Sequence, residues 1–336
     1  MIQLSPITFK LKKPFMSFGK VLSHKESVLL NFFKADQLIM SSELSLYPGL
    51  TPELTEAHRS ILQNDLDELL NSTTDKREDL ETLTQKLPQA FRLCAETLWL
   101  KKHFQKEFEG PRKLKTSGLI TDLKNPPELF PDTIKIKMAR APLANELPLL
   151  IKLLEKTHFR FRLDPNEAWT MSDLIHCHSA LTSDLKERLD YVESPLPFST
   201  QKELDDLIQA SPFPLAFDLT PDRVHFDFSK AHALVLKPAL LSFKETQSIM
   251  QAYEQKTRLV LSSLFEGPQG LADLLCLTAF LPISLQSEVH GLGTLNHLEH
   301  PLELPFEIPV KTGPHNSKIE QQINELVLIP SAAHKS

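Results

Sequence analysis

The sequence predicts a (β/α)8-type barrel preceded by an α+β unit, and three observations lead there. From about residue 117, short apolar or alternating segments appear between helical ones. The polar residues that close these segments are Lys137, Asp164, Glu193, Asp218, Lys237 and Ser262. They follow one another at intervals of 19 to 29 residues, the length that a strand, a helix and two loops require. The first 100 residues have another order, strand first and helices after, as in an α+β unit.

Taken in order, 27–33 is an apolar run that predicts a strand, reached through the polar residues Lys20, Ser23, His24 and Lys25. Tyr47-Pro48-Gly49-Leu50 reads as a turn, with Thr51 as helix N-cap and Pro52 at the first helical position. Helices are expected over 53–70 and 76–105. Leu80, Leu83 and Leu87, then Phe91, Cys94, Leu98 and Trp99, recur near helical spacing. Barrel strands are expected at 117–120, 134–138, 159–164, 191–193, 215–218, 233–237 and 258–262, with 283–285 as a weaker eighth candidate. The third of these shows the pattern best. Phe159, Phe161 and Leu163 share one face, Arg160, Arg162 and Asp164 the other, and Pro165-Asn166 breaks the strand into a loop. Beyond 300 the series stops. Leu304, Phe306 and Ile308 alternate, and this tail is expected to return to the N-terminal unit. The division is therefore 1–105, an N-terminal α+β capping domain; 106–300, the barrel; and 301–336, the returning tail.

Composition excludes several classes. A chain of 336 residues with 41% hydrophobic and 24% charged residues has room for a barrel-sized domain and a smaller one. A net charge of -6 offers no basic field for nucleic acid or an anionic membrane. Cys94, Cys177 and Cys276 are odd in number and far apart, which speaks against a disulfide framework and fits a reducing compartment. No window is long and apolar enough for a membrane span. The expected setting is the cytoplasm, and the expected partner a small molecule.

The chemistry lies in the strand ends. Barrel active sites form at the C-terminal ends of the strands, so these side chains converge if the barrel is right. Asp164, Glu193 and Asp218 end three successive strands and make an oxygen donor set for a hard divalent cation, with Mg2+ the natural candidate. Lys137 and Lys237 end strands that lie opposite one another in an eight-stranded barrel. Lys135, two residues before Lys137 on the same face, carries a charge that lowers the pKa of Lys137. A neutral lysine beside a metal-bound carboxylate can abstract the proton α to it, and the opposite lysine can stabilise the charge that develops. Other clusters carry less. His176, Cys177 and His178 fall on an expected helix with no acidic partner at ligand spacing, and His290 and His297 read as loop residues. Ser262 and Ser263 have no His/Asp grouping that would make a nucleophile.

These residues resemble a known family. Lys135-Ile136-Lys137 is similar to the KxK motif of the enolase superfamily in its muconate-lactonizing branch, and 162–169 to that branch's RLDAN-x-x-W. Tyr191-Val192-Glu193-Ser194-Pro195 resembles its E-E-P motif, and Phe217-Asp218-Leu219-Thr220 its D-E-S. Leu236-Lys237-Pro238 and the segment 262–271 resemble motifs of the o-succinylbenzoate synthases, as do 43–49 and 290–294.

The resemblance implies a (β/α)7β barrel capped by the N-terminal domain and completed by the C-terminal tail. It implies Mg2+ held by Asp164, Glu193 and Asp218, with Lys137 as general base and then acid. Lys237 would stabilise the enediolate, and Lys135, Arg162, Ser262 and Ser263 would help hold the substrate. The implied reaction is dehydration of 2-succinyl-6-hydroxy-2,4-cyclohexadiene-1-carboxylate to o-succinylbenzoate, in menaquinone synthesis. An N-succinylamino acid racemase on the same scaffold, and a non-catalytic homologue, are the alternatives. Departures from the pattern stand at Ser194, Leu219 and Thr220, at Met138-Ala139-Arg140 after KxK, and at Pro165. Each implies a lost supporting partner around the site.

Overall fold

The computed structural model describes residues 1–299 apart from 18–19, 74–75, 105–113, 127–130, 281–284, and 286–287. The expected returning tail, with Leu304, Phe306 and Ile308, lies outside the described residues, as do Ile283 and Ser284 of the eighth-strand candidate.

The chain opens with an antiparallel sheet in the order β1 (Ile2–Ser17), β2 (Lys20–Lys34), β3 (Gln37–Leu46). The expected strand at 27–33 is thus the middle of a three-stranded sheet. Its run from Ser27 to Phe32 is buried, as a central strand covered on both sides should be. The end of β3 is polar but buried, through Ser41, Ser42, Glu43 and Ser45. Such groups need partners, and those of Ser42, Glu43 and Ser45 include atoms of the barrel.

Two expectations about the helices change. Thr51 closes a turn instead of capping a helix, its hydroxyl accepting from Tyr47 N at 2.7 Å. The cap is Thr55, in a reciprocal box with His58 ahead of the helix Glu56–Ser60. The helix continues through a π-turn at Ile61–Asp65 into Leu66–Asn71. The second expected helix divides into Arg77–Gln85 and Gln89–His103, with Pro88 between them. Proline lacks an N–H and disfavours helical backbone before it.

The barrel follows. β5 (Gly118–Ile120), β6 (Thr133–Lys137), β7 (Arg160–Asp164), β8 (Leu189–Glu193), β9 (Leu215–Leu219), β10 (Ala233–Leu236) and β11 (Arg258–Leu261) form one parallel sheet in sequence order. The closing strand is β12 (Val289–His290), four residues beyond the expected Leu285. It pairs in parallel with β4 (Lys115–Thr116), which leads straight into β5. On its other side Gly291 N donates to Leu261 O and Ser263 N to Gly291 O, at 2.8 and 3.0 Å. These bonds close the ring as a (β/α)7β barrel behind an N-terminal α+β unit. His290, expected in a loop, is on the closing strand and fully buried.

Strand alternation sorts the side chains into two layers. Phe161, Leu163, Phe217, Leu234, Leu236, Leu259 and Leu261 belong to the large apolar core that includes the helices. Tyr191, Ala216, Ala233, Val235 and Val260 form a separate small cluster inside the barrel. Apart from Tyr191, the inward-facing apolar positions thus hold small residues, and charged residues share the interior with them.

Candidate active site

The register of β6 against β7 sets Lys137 opposite Asp164 and Lys135 opposite Arg162. Lys137 Nζ lies 2.6 Å from Asp164 Oδ2. Lys135 Nζ lies 2.6 Å from the same oxygen and 2.5 Å from Glu193 Oε1 on β8. Across the barrel, Lys237 follows β10 and its Nζ is 2.6 Å from Asp218 Oδ2. The three carboxylates and three lysines named from the sequence therefore meet at one end of the barrel. Asp164 and Glu193 share one ammonium group, and Asp218 completes the row.

The electrostatics differ residue by residue. Burial opposes the charge on Lys135, but Asp164, Glu193 and Asp218 outweigh it and hold its pKa well above the ordinary value. Lys137 goes the other way: burial lowers its pKa, and the Lys135 charge adds to that against the pull of Asp164. Burial works against the charge on Asp164 as well, yet the two lysines hold its pKa far below the usual carboxylate range. Glu193 is pushed up to about 7 by burial, with Asp164 and Asp218 adding repulsion. Asp218 Oδ1 is buried without a hydrogen-bond partner, an oxygen that still needs a positive group. Among the described residues, no three His, Cys, Asp or Glu side chains stand at the spacing of an assembled metal site. The ammonium groups of Lys135 and Lys137 stand against Asp164, with Lys135 reaching on to Glu193.

Two residues enter that sequence reasoning did not assign to the site. Asn166 follows the strand break with a left-handed backbone (φ 48°). Its side-chain oxygen accepts from Lys137 Nζ at 3.0 Å, and its backbone N–H donates to Asp164 Oδ1 at 3.1 Å. The signal was an asparagine in a strand-to-loop break, where that residue tolerates such backbone. Ser194, read as a lost partner, has a supporting role of its own. Its hydroxyl accepts from Asp218 N at 3.0 Å, and its carbonyl from Glu167 N at 2.7 Å.

The expected substrate-holding residues divide. Lys135 is in the cluster. Ser262 is buried at the seam, where a Cβ on Gly291 would come within 3.0 Å of its hydroxyl. Ser263 Oγ is 2.7 Å from Thr294 Oγ1. Arg162 is not brought to the carboxylates. Its Nε donates to Asp190 Oδ2 at 2.8 Å, Nη1 to Val289 O at 2.8 Å and Nη2 to Glu288 Oε1 at 3.3 Å. Its guanidinium lies over the Tyr191 ring, in the layer beneath the site.

No family model matches the chain. It is 28% identical over 151 residues to an o-succinylbenzoate synthase of Enterobacter sp. (strain 638). That match covers 43% of this chain and 44% of the relative, less than half the length of each. Two solved structures match far more. An o-succinylbenzoate synthase from Thermosynechococcus elongatus BP-1, with magnesium in its active site, superposes with a TM-score of 0.67 at 18% identity, over 90% of this chain and 95% of that one. The L-Ala-D/L-Glu epimerase of Bacillus subtilis gives a TM-score of 0.65 at 17% identity, over 90% and 91%. The likeness read from the motifs therefore extends to the architecture: the chain carries the fold of these two enzymes and resembles an o-succinylbenzoate synthase in part of its sequence.

Proposed function

We propose that the chain is an o-succinylbenzoate synthase, a carbon–oxygen lyase that dehydrates 2-succinyl-6-hydroxy-2,4-cyclohexadiene-1-carboxylate in menaquinone synthesis. One observation carries this reading: Lys137 and Lys237 reach in from opposite strands toward a row of three carboxylates, of which Asp164 and Glu193 are buried and Asp218 is half-buried. The donor set fits a magnesium ion. Asp164, Glu193 and Asp218 offer hard oxygens, and Asp218 Oδ1 is buried and unpaired. Lys135 and Lys137 would give up contacts with Asp164 and Glu193 to such a cation. When bound, Mg2+ would polarise the substrate carboxylate and make the neighbouring C–H more acidic.

The chain's own groups then do the proton work. Lys137, with its lowered pKa, takes the α-proton. The electrons of that C–H bond form the new ring double bond as the C–O bond to the hydroxyl breaks. Lys137 returns the proton to the leaving oxygen, so water departs and the ring becomes aromatic. Lys237 supplies positive charge opposite, where negative charge grows in the transition state. Asn166 keeps Lys137 aimed. Ser262 and Ser263 border the mouth at the seam, while Arg162 belongs to the layer below. Residues 1–105 would cap the barrel of 106–300, and 301–336 would complete the cap. No helix among the described residues is long and apolar enough to cross a membrane; we place the enzyme in the cytoplasm, acting on a small carboxylate.

A second reading is an N-succinylamino acid racemase or related epimerase, favoured by the same opposed lysines used one on each face. A homologue without turnover is the third. An assay with Mg2+ and the cyclohexadiene substrate, followed by ultraviolet absorbance, tests the synthase. Stereospecific exchange of one enantiomer's α-proton in each single lysine variant, measured in deuterium oxide on N-succinylamino acids, would replace it with the racemase.

A further inference from the structure

The barrel helix Pro268–Leu277 begins at Gly267 with no side-chain cap of its own. It receives one from the N-terminal sheet. Glu43, buried at the end of β3, accepts from Gly267 N at 2.8 Å and Gly270 N at 2.9 Å. Ser27 on β2 fixes the same carboxylate from behind, donating at 2.7 Å. Neither glycine has room for a side chain, Gly267 because of the N-terminal sheet and Gly270 mainly because of Glu266 in its own segment. A Cβ on Gly267 would stand 2.3 Å from the Phe9 ring, and one on Gly270 would stand 2.7 Å from Glu266 Cβ. The grip is returned: Asp273 of that helix accepts from Ser42 Oγ at 2.9 Å and Glu43 N at 3.3 Å.

What is gripped is the start of the helix that follows the seventh barrel strand. The segment 262–267 before it carries Ser263 and Phe265. Ser45, two residues along β3 from Glu43, donates to Leu264 O at 3.3 Å. Phe265 is held in left-handed backbone (φ 56°), its ring 5.2 Å from Phe15 and 6.2 Å from Tyr47 of the N-terminal unit. A bulky residue in that conformation needs surroundings that impose it. Glu43 and Ser45 anchor the segment on both sides of Phe265.

We propose that Glu43 is a positioning residue: it locks segment 262–267 to the N-terminal sheet and thereby sets how tightly the barrel mouth holds its substrate. The effect on substrate rests on the enzyme reading above; the lock itself does not. Glu43→Gln keeps the volume but turns one acceptor into an amide that faces an N–H donor. Peptides covering 262–271 should then exchange their amide hydrogens at least about tenfold faster, the equivalent of one buried hydrogen bond lost. KM should rise about tenfold with kcat within about twofold, the signature of lost binding rather than lost chemistry. Ser45→Ala should loosen the same peptides less, and carries the test if Glu43→Gln does not fold. Unchanged exchange in this segment in every folded variant overturns the lock. Loosened exchange with a fall in kcat at constant KM overturns the substrate role. If the native enzyme does not turn over the cyclohexadiene substrate, the exchange measurement still decides the lock.

Discussion

The barrel interior holds two ionic clusters, and they are built differently. Beneath the site, Arg162 and Arg258 face Asp190 and Glu288. Arg258 donates to Glu288 Oε2 at 3.0 Å, Asp190 Oδ1 at 2.8 Å and Glu288 Oε1 at 2.8 Å. With the Arg162 bond to Asp190 Oδ2, all four carboxylate oxygens are engaged. At the mouth the cations are lysines, two of them share one oxygen of Asp164, and Asp218 Oδ1 has no partner. Arginine is permanently charged and forks onto carboxylates in fixed geometry, whereas lysine is a compact charge that changes protonation when buried. The lower cluster is a fastening and the upper one can do chemistry.

Backbone strain follows the same division. Among the described residues, apart from Ala35 and Asp36 between β2 and β3, the non-glycine residues with positive φ are Ala139, Asn166, Glu167, Ser194, Ser242 and Phe265. Five of the six lie within four residues after a barrel strand, and Ser242 joins the two helices that follow β10. Strain of this kind gathers where geometry is imposed for function.

The largest effect is expected from Lys137→Ala. Turnover should fall by about 10²–10⁴-fold, as for a positioned acid–base group, with substrate affinity changed far less. Full activity in that variant would end both enzyme readings. Arg162→Ala should do the reverse, lowering unfolding free energy by about 3 kcal/mol because the buried Asp190 and the half-buried Glu288 are left with one arginine fewer. Denaturant titration checks it; native stability with lost turnover would move Arg162 to the mouth. Lys237→Arg keeps the charge but not the shape, so its turnover should lie between that of Lys237→Ala and that of the native enzyme. The smallest effect is expected at Ala139, whose backbone N–H, with those of Arg140 and Ala141, donates to Glu146. Ala139→Gly should relieve its left-handed backbone and raise stability by about 1 kcal/mol, read as a higher thermal midpoint.

What the sequence made legible was local. Lys137, Asp164, Glu193, Asp218 and Lys237 could be found because each ends a short apolar strand and the strands recur in order. The fate of Arg162 could not, since it depends on Asp190 and Glu288, which are 28 and 126 residues away. The closing strand is two residues long, too short for any period to show. β1 was missed for another reason: Pro6 and the lysines among its apolar positions weaken its alternation. The supporting roles of Ser194 and Glu43 arise from loop backbone and from contacts between the N-terminal sheet and the barrel that leave no pattern along the chain, whereas Asn166 left only the mark of an asparagine at a strand break.

The seam that closes the barrel is bolted by an imidazole. His290 Nδ1 accepts from Leu261 N at 3.0 Å, and its Nε2 faces Leu285 O at 2.9 Å. The neutral tautomer protonated on Nε2 serves both, so the ring replaces a stretch of missing sheet. Burial holds its pKa down to about 4, against about 6.5 in an unfolded chain. The bolt is therefore at full strength above pH 6.5 and fails as pH falls through 4, when a second ring proton would face the Leu261 amide. Stability worth about 3 kcal/mol should drain away over that window. Acid should thus part the ring between its seventh and last strands before it melts the helices, seen as early amide exchange in 258–263 and 289–291.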